Sequence, residues 1–405
     1  MAKEKTHTDK TSADNKAIGF DFQYYYFIYR LLYLKHGETI GLEVKDDVHT
    51  ELSNNRQILV QVKHTVQKKV DGNNKSLTEL DIDLWKTIYN WVMVICDVND
   101  GRSDTEQKLS FVKKTDFLLA SNKSSSERNK ALKEFQDLKQ NKKSISDLKK
   151  YLCELMGETK NDAIKGYINT LIELEDDIAD VFIRNICFEL NIEDIIMLCK
   201  RAIKEKMIDD KDVDDLFNGL DSQIRQDNFI TIISGEKVEI VFEEFHKKYK
   251  RHFDNVRNKD LTILPFIDVL PEDIETQVFI RQLIDIEDIH IGEIDMIAEY
   301  TRLKIGLKNN VEYWVSEGEL TRKEIEDFEA EAKSRWKNAF RAAYRGTNDR
   351  EGVNEKAVKL VDEIRKERLS VSTQEFGTEL SNGEFYNLSD IPEIGWDIDW
   401  EEKYK

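Results

Sequence analysis

Hydrophobic positions near the N-terminus change from a continuous run to an alternating pattern. From Phe20 to Leu34 apolar and aromatic residues occupy nearly every side of a helical projection, and no Pro or Gly interrupts them. This pattern predicts a buried helix that ends near Gly37. Residues 39–44 and 57–63 then alternate apolar with polar side chains, which predicts two strands of one sheet joined by a polar connection.

Helical spacing returns further along the chain, with short interruptions. Residues 76–96 carry apolar side chains every three or four positions, which predicts a helix, and 109–112 has the composition of a short strand. From 124 to 249 the pattern is mainly helical. The breaks predicted in this region are stops at Asn191 and near Gly219 and a short strand or extended segment at 229–235.

Two prolines mark a domain boundary. Pro265 and Pro271 bracket a short apolar run, and because both disfavour a continued helix we place the boundary around 256–272. The elements predicted beyond it are a short helix or strand at 277–284 and helices at 293–304 and 321–345. Near the end, Trp396 and Trp400 alternate with acidic residues, which predicts an exposed aromatic segment that docks onto a partner.

Composition agrees with a mainly helical protein of several domains. The 405 residues include 35% charged and 40% hydrophobic side chains and three prolines. The predicted organisation is a disordered N-terminus, an α/β domain, a helical region and a C-terminal domain, at 1–16, 17–150, 151–255 and 256–405. No apolar run approaches the roughly 18 residues that a membrane span needs, so we expect a cytoplasmic protein with no membrane contact.

The net charge of −19 opposes general affinity for nucleic acid, since binding to a phosphate backbone draws on clustered Lys and Arg. The charge is unevenly spread, with many lysines in 108–150 and the acidic excess in 171–220 and near the C-terminus. The lysines have two interpretations, a surface that follows DNA or the ordinary solvated face of helices.

Candidate chemistry lies on the two predicted strands. Alternation places Glu43 and Asp47 on one side of the first strand, and Gln61 and Lys63 on the polar side of the second. If the strands are neighbours, these four groups converge. Carboxylate and amide oxygens together with a lysine are the groups that hold a divalent metal and activate water for phosphodiester hydrolysis.

The donor and acceptor capacity of each group suggests its role. Asp47 is the expected principal metal ligand, with the amide oxygen of Gln61 second and the carbonyl of Val62 third. Lys63 is expected to orient or help deprotonate water and to offset phosphate charge, and Glu43 to assist metal or water. Strand parity favours Asp47 as the ligand, and Asp46 is the alternative.

The order of these residues resembles a known nuclease family. The segments EVKDDV (43–48) and LVQVKH (59–64) resemble the E…D…QxK variant of the PD-(D/E)xK, or restriction-endonuclease-like, fold. GFDFQ (19–23) looks like the helix opening of one branch, the double-strand DNA endonuclease domain of cyclic-oligonucleotide antiphage effectors and of the nuclease subunit (LmuA) of Lamassu defence systems. In the first helix, Asp21 or Gln23 offers a further ligand or is only a helix-start polar residue.

The resemblance implies a Mg²⁺-dependent endonuclease, with Mn²⁺ as a substitute, that acts on double-stranded DNA. The C-terminal half looks more like the Lamassu subunit, which implies an SMC-like ATPase (LmuB-like) and a small accessory subunit (LmuC-like) as partners and a homo-oligomer when active. The alternatives are an effector activated by a cyclic oligonucleotide and a non-catalytic subunit with a degenerate nuclease fold.

Overall fold

The computed structural model describes residues 14–66, 74–126, 129–257, 259–265, 270–347 and 350–405. The chain forms two compact units, Met1–Asn258 and Lys259–Lys405. Most of the predicted disordered segment 1–16 and most of the run between Pro265 and Pro271 lie outside the described residues. A helix already begins at Asp14.

The first unit is a mixed α/β structure, which confirms the predicted class at that level. Its six-stranded sheet has the order β5-β4-β3-β2-β1-β6. The strands are β1 Thr39–Leu42, β2 Val48–Glu51, β3 Gln57–Lys63, β4 Thr115–Ser121, β5 Ile186–Glu189 and β6 Val238–Val241. β3, β4 and β5 run parallel, and the other neighbouring pairs are antiparallel.

Helices cover both faces of this sheet. They are α1 Asp14–Leu32, α2 Ile82–Ile95, α3 Thr105–Lys113, α4 Lys130–Lys139, α5 Ile145–Glu158, α6 Asp162–Glu173, α7 Asp176–Asn185, α8 Ile195–Lys204, α9 Asp210–Ile233 and α10 Phe242–Arg257. One core joins α1, α8, α9 and α10 to the face that carries Val60 and Val62. A second core joins α2 and the α4–α7 helices to the face that carries Leu59. The alternation of β3 thus divides its side chains between two buried layers.

The sheet extends well past residue 150, where the sequence predicts the α/β domain to end. β5 and β6 lie in the region predicted to be helical, and β2 lies in the connection predicted to be polar. β2 is only four residues long and has one apolar side chain, Val48, among the polar His49, Thr50 and Glu51, so alternation of apolar and polar residues does not reveal it. β2 therefore lies between β1 and β3, so the two predicted strands belong to one sheet but are not neighbours in it.

Two predicted strands are helical instead. Residues 109–112 belong to α3, whose start is set by a capping box between Asp104 and Gln107. Residues 229–233 complete α9, which also passes through Gly219 without stopping. A short run of β-branched residues favours a strand only weakly, so the helix that leads into it continues through it. The predicted stop at Asn191 matches a connection in which that residue has a positive φ of 65°.

The second unit is mainly helical. Its helices are α11 Val278–Asp285, α12 Ile294–Ser316, α13 Arg322–Ala343, α14 Val353–Ile364, α15 Thr378–Asp390 and α16 Trp400–Tyr404, and a hairpin pairs β7 Ser370–Val371 with β8 Gln374–Glu375. The prediction of an exposed aromatic segment near the end is wrong. Trp396 and Trp400 are 1% and 5% exposed, and the Trp336 indole donates to the carbonyl of Gly395 at 2.9 Å.

No helix in the described part of the chain is long and apolar enough to cross a membrane.

Candidate functional site

The candidate residues meet at the end of β3. Because β2 begins at Val48, opposite Val60, the last three residues of β3 extend beyond their antiparallel neighbour. The loop of residues 43–47 fills this position along the strand edge. There the backbone N–H of Val62 donates to Asp47 Oδ2 at 2.7 Å, so a loop carboxylate takes the place of a strand.

The backbone of this loop, rather than strand alternation, aligns its acidic residues. β1 ends at Leu42, and Glu43 adopts a left-handed conformation with φ of 56°. The N–H of Glu43 donates to the carbonyl of Asp47 at 3.0 Å and closes the loop. The parity argument is therefore wrong in its geometry, since Glu43 and Asp47 do not lie on one continuous strand.

Asp47, Gln61 and Lys63 nevertheless lie together. Lys63 Nζ is 3.9 Å from Asp47 Oδ2 and 3.2 Å from Gln61 Oε1. Gln61 is buried, and the Lys63 and Asp47 side chains are 27% and 20% exposed. Two oxygens from different elements thus face one cationic group at a surface that solvent reaches. The carbonyl of Val62 leaves the strand on the edge to which its N–H points, toward the same loop.

Asp46 faces inward, where N–H donors surround it. Its Oδ2 accepts from the Trp91 indole at 2.9 Å, and its Oδ1 accepts from Gln61 Nε2 at 2.7 Å and from the backbone N–H of Asp47 at 2.9 Å. Trp91 belongs to α2 and is 1% exposed. Between the two candidate ligands, this arrangement favours Asp47, because the oxygens of Asp46 are already satisfied.

Gln23 supports the loop from the other side. This α1 residue is buried and donates from Nε2 to Glu43 Oε1 at 2.6 Å and to the carbonyl of Asp47 at 3.0 Å. Gln23 is therefore more than a helix-start polar residue, because its two hydrogen bonds hold the loop. Asp21 points elsewhere and pairs with Arg225 of α9 at 3.2 Å, so the structure does not bring Asp21 to the site.

Burial dominates the electrostatics of the acidic pair. It raises the pKa of Asp47 to about 6, against the lowering effect of Lys63 and of the Val62 N–H, and the neighbouring Asp46 and Glu43 add to the rise. Burial also raises the pKa of Asp46, although Trp91 and the other donors oppose it. A carboxylate in this position gains from a cation placed beside it.

His64 and the lysines of 108–150 give less support to a functional site. His64 is half-buried with its ring centroid 4.8 Å from that of Phe22, and burial lowers its pKa. Several lysines of 108–150 are engaged with acidic side chains, such as Lys143 with Glu134 at 2.6 Å and Lys108 with Glu175 at 3.4 Å. These pairs favour the interpretation of that segment as an ordinary solvated face.

A metal ion at this site would have one carboxylate ligand, and its other protein ligands would be neutral oxygens. In the residues that the structure describes, no three His, Cys, Asp or Glu side chains form a group that could hold a metal. The donor set is one carboxylate, Asp47, one amide oxygen, Gln61, and the carbonyl of Val62. These are the hard oxygen ligands that Mg²⁺ takes, and Mg²⁺ keeps several waters besides. Lys63 Nζ between two of these oxygens shows that they accommodate a positive centre.

Comparison with known proteins adds little to this geometry. No family model matches the sequence, and no curated protein matches it. A solved structure with similarity is the Moraxella osloensis Cap4 SAVED/CARF-domain containing receptor, at 15% identity over 74% of this chain, with a TM-score of 0.33. The chain spans 61% of the length of that receptor. A likeness at this score supports no conclusion about fold or activity.

Proposed function

We propose that this chain is a metal-dependent endonuclease that cuts double-stranded DNA. The observation that carries the proposal is the convergence of Asp47, Gln61 and Lys63 at the open end of β3. An acid and a second oxygen ligand can hold a divalent cation that activates water, and an ammonium group beside them can stabilise the negative charge that develops on a phosphate. The E…D…QxK pattern of the sequence supports the same chemistry.

The residues of the site fit a hard divalent cation, with Mg²⁺ expected and Mn²⁺ as a substitute. Asp47, Gln61 and the Val62 carbonyl would hold it. When bound, such an ion polarises the phosphate and lowers the pKa of a coordinated water. The buried carboxylate of Asp47, whose pKa burial raises to about 6, would gain a compensating charge.

The chain supplies the rest of the chemistry through its own side chains. Lys63 places a positive charge beside the position of the scissile phosphate, where it stabilises developing negative charge and orients the attacking water. Glu43 is exposed and borders Asp47, and the bond from Gln23 directs its carboxylate. We expect this acid to accept a proton from water at the rim of the site.

The biological setting that we propose follows the sequence resemblance. A nuclease of this kind must be kept off the host chromosome, so we infer a Lamassu-type antiphage effector that an SMC-like ATPase holds inactive until foreign DNA is sensed. Release and homo-oligomerisation would then pair sites on the two strands. The compact second unit, Lys259–Lys405, is the part that we assign to docking on the ATPase and the small accessory subunit.

Plasmid cleavage tests the chemistry. The full chain at high concentration should nick or linearise supercoiled DNA with Mg²⁺ and not with EDTA. Asp47→Ala and Lys63→Ala should each lower the cleavage rate by at least about 100-fold, as the loss of a transition-state charge contact does. Matched controls are Asp162→Asn and Lys133→Ala, at exposed positions on α6 and α4. Wild-type rates in either site variant would overturn the assignment.

Restraint by a partner has its own test. The chain should copurify with an SMC-like ATPase from a neighbouring gene, and the copurified complex should cleave plasmid more slowly than the chain alone. Removal of 259–405 should abolish the copurification. Binding without that unit would contradict its assigned role. Stimulation by an added cyclic oligonucleotide in the absence of an ATPase would favour the alternative effector class.

A further inference from the structure

The amide of Gln61 presents a problem of orientation. Its oxygen and its NH₂ group have nearly the same shape, yet only the oxygen can accept from Lys63 or bind a cation. A carboxylate at this position would have no such ambiguity. A buried amide that serves as a ligand therefore needs a neighbour that distinguishes its two ends.

Asp46 is that neighbour. As a carboxylate it only accepts hydrogen bonds, so it takes the Gln61 NH₂ group, at 2.7 Å, and rejects the oxygen. The oxygen is left facing Lys63 Nζ at 3.2 Å. The backbone N–H of Asp47, also a donor to Asp46 at 2.9 Å, favours the same acceptor-only form.

Trp91 holds Asp46 in place. The indole N–H donates to Asp46 Oδ2 at 2.9 Å, and the ring lies among buried aromatics, 5.5 Å from Phe117 and 6.5 Å from Phe182 between centroids. Because this ring is enclosed in the core, the acceptor that it fixes cannot move far. The hydrogen bonds thus run from the core through one carboxylate to the Gln61 amide.

We propose that Asp46 and Trp91 are positioning residues that orient the Gln61 amide so that its oxygen faces the cation site. The catalytic consequence of this orientation rests on the proposed function, whereas the orientation itself rests only on the hydrogen bonds described above. Outer hydrogen-bond partners of this kind commonly change metal affinity by 10–100-fold.

A swap of polarity tests the proposal. Asp46→Asn can donate to the amide oxygen and turn it away, and Gln61→Glu sets two carboxylates against each other. In the double variant the Asn donates to the new carboxylate, and an oxygen again faces Lys63. Each single variant should lower Mn²⁺ affinity of the full chain by about 10-fold or more in calorimetry. The double variant should return to within about 5-fold of wild type, the remainder being the Asp47 N–H that loses its acceptor.

Two further variants separate orientation from folding. Trp91→Phe keeps the ring and removes the N–H, so we expect weaker Mn²⁺ binding with a melting temperature within a few degrees of wild type. Asp162→Asn, exposed on α6, is the matched control for a lost carboxylate. Additive losses in the Asp46→Asn/Gln61→Glu variant, or wild-type affinity in Asp46→Asn, would overturn the proposal.

The outcomes distinguish this inference from the proposed function. If wild type binds Mn²⁺ and cuts no DNA, the endonuclease assignment fails while the affinity series still decides the orientation. If wild type binds no Mn²⁺, the metal assignment fails, and the melting temperatures of the same variants test the orientation of the Gln61 amide instead. Lower melting temperatures in both single variants with recovery in the double variant support the proposed orientation of the Gln61 amide, and additive lowering in the double variant refutes it.

Discussion

The Glu384 carboxyl in the second unit should make that unit less stable as pH rises. Glu384 is 3% exposed on α15, and its Oε1 is buried without a hydrogen-bond partner. The nearby Lys333 is engaged by Glu329, at 3.8 Å, and by Glu393. Burial, with a contribution from Glu329, raises the pKa of Glu384 from 4.5 to about 8.

The sign and size of the effect follow from proton linkage. The folded pKa lies above the unfolded value, so the folded state binds more protons between pH 4.5 and 8. The contribution of this carboxyl to stability is then fully present below pH 4.5 and is lost progressively until about pH 8. Each pH unit over this interval is worth about 1.4 kcal/mol, which gives a loss of about 3 to 5 kcal/mol. That is a large share of the roughly 5–15 kcal/mol that stabilises a domain.

Glu384→Gln should remove this dependence. The neutral amide resembles the protonated acid in shape, so the variant should match wild type near pH 5 and melt at a higher temperature near pH 9. Differential scanning calorimetry of the full chain from pH 5 to 9 measures the difference, with exposed Glu379→Gln of the same helix as the control. Parallel pH profiles for wild type and Glu384→Gln would refute the reasoning.

Two further predictions concern the first unit. Gly41→Ala places a methyl group against the fully buried imidazole of His49, so it should cost about 1–3 kcal/mol in urea denaturation, and adding His49→Ala should recover part of that loss. Simple addition of the two effects would contradict the contact. Lys123→Met removes the buried ammonium group that lies 2.7 Å from the partly buried Asp81 carboxylate and should cost about 2–4 kcal/mol; a change below about 0.5 kcal/mol would show that the pair is dispensable.

Local patterns predicted the elements that combine a regular period with burial. β3 has the predicted bounds, 57–63, and the long helix at 322–343 matches its prediction within two residues. The wrong predictions share a cause, because in each of them tertiary packing overrides the local preference of the sequence. The polar strand β2 pairs with β1 on one edge and β3 on the other, and Trp396 is buried in the core of the second unit, where the Tyr344 hydroxyl donates to its carbonyl.

The candidate site divides in the same way. Order and spacing along the chain identified Asp47, Gln61 and Lys63, which the structure brings together, although by a loop rather than by paired strands. The supporting role of Trp91 was not identified, because nothing in the local sequence marks it. Trp91 is one apolar position among several on α2, and its indole reaches Asp46 across 45 residues of sequence. A donor at such a distance in sequence is visible only in three dimensions.

The loop that carries Asp46 and Asp47 is held from both layers of the first unit. Gln23 reaches it from α1, in the core on one face of the sheet, and Trp91 reaches it from α2, in the core on the other face. Hydrogen bonds of 2.9–3.0 Å weaken steeply when either helix moves by an ångström. Metal ligands must be held within about 0.5 Å of their productive positions. A shift of α1 or α2 relative to the sheet would therefore disable the site even if nothing binds to its carboxylates. Control of the proposed activity therefore requires no occupant in the site itself, since a change in the position of either helix relative to the sheet is sufficient.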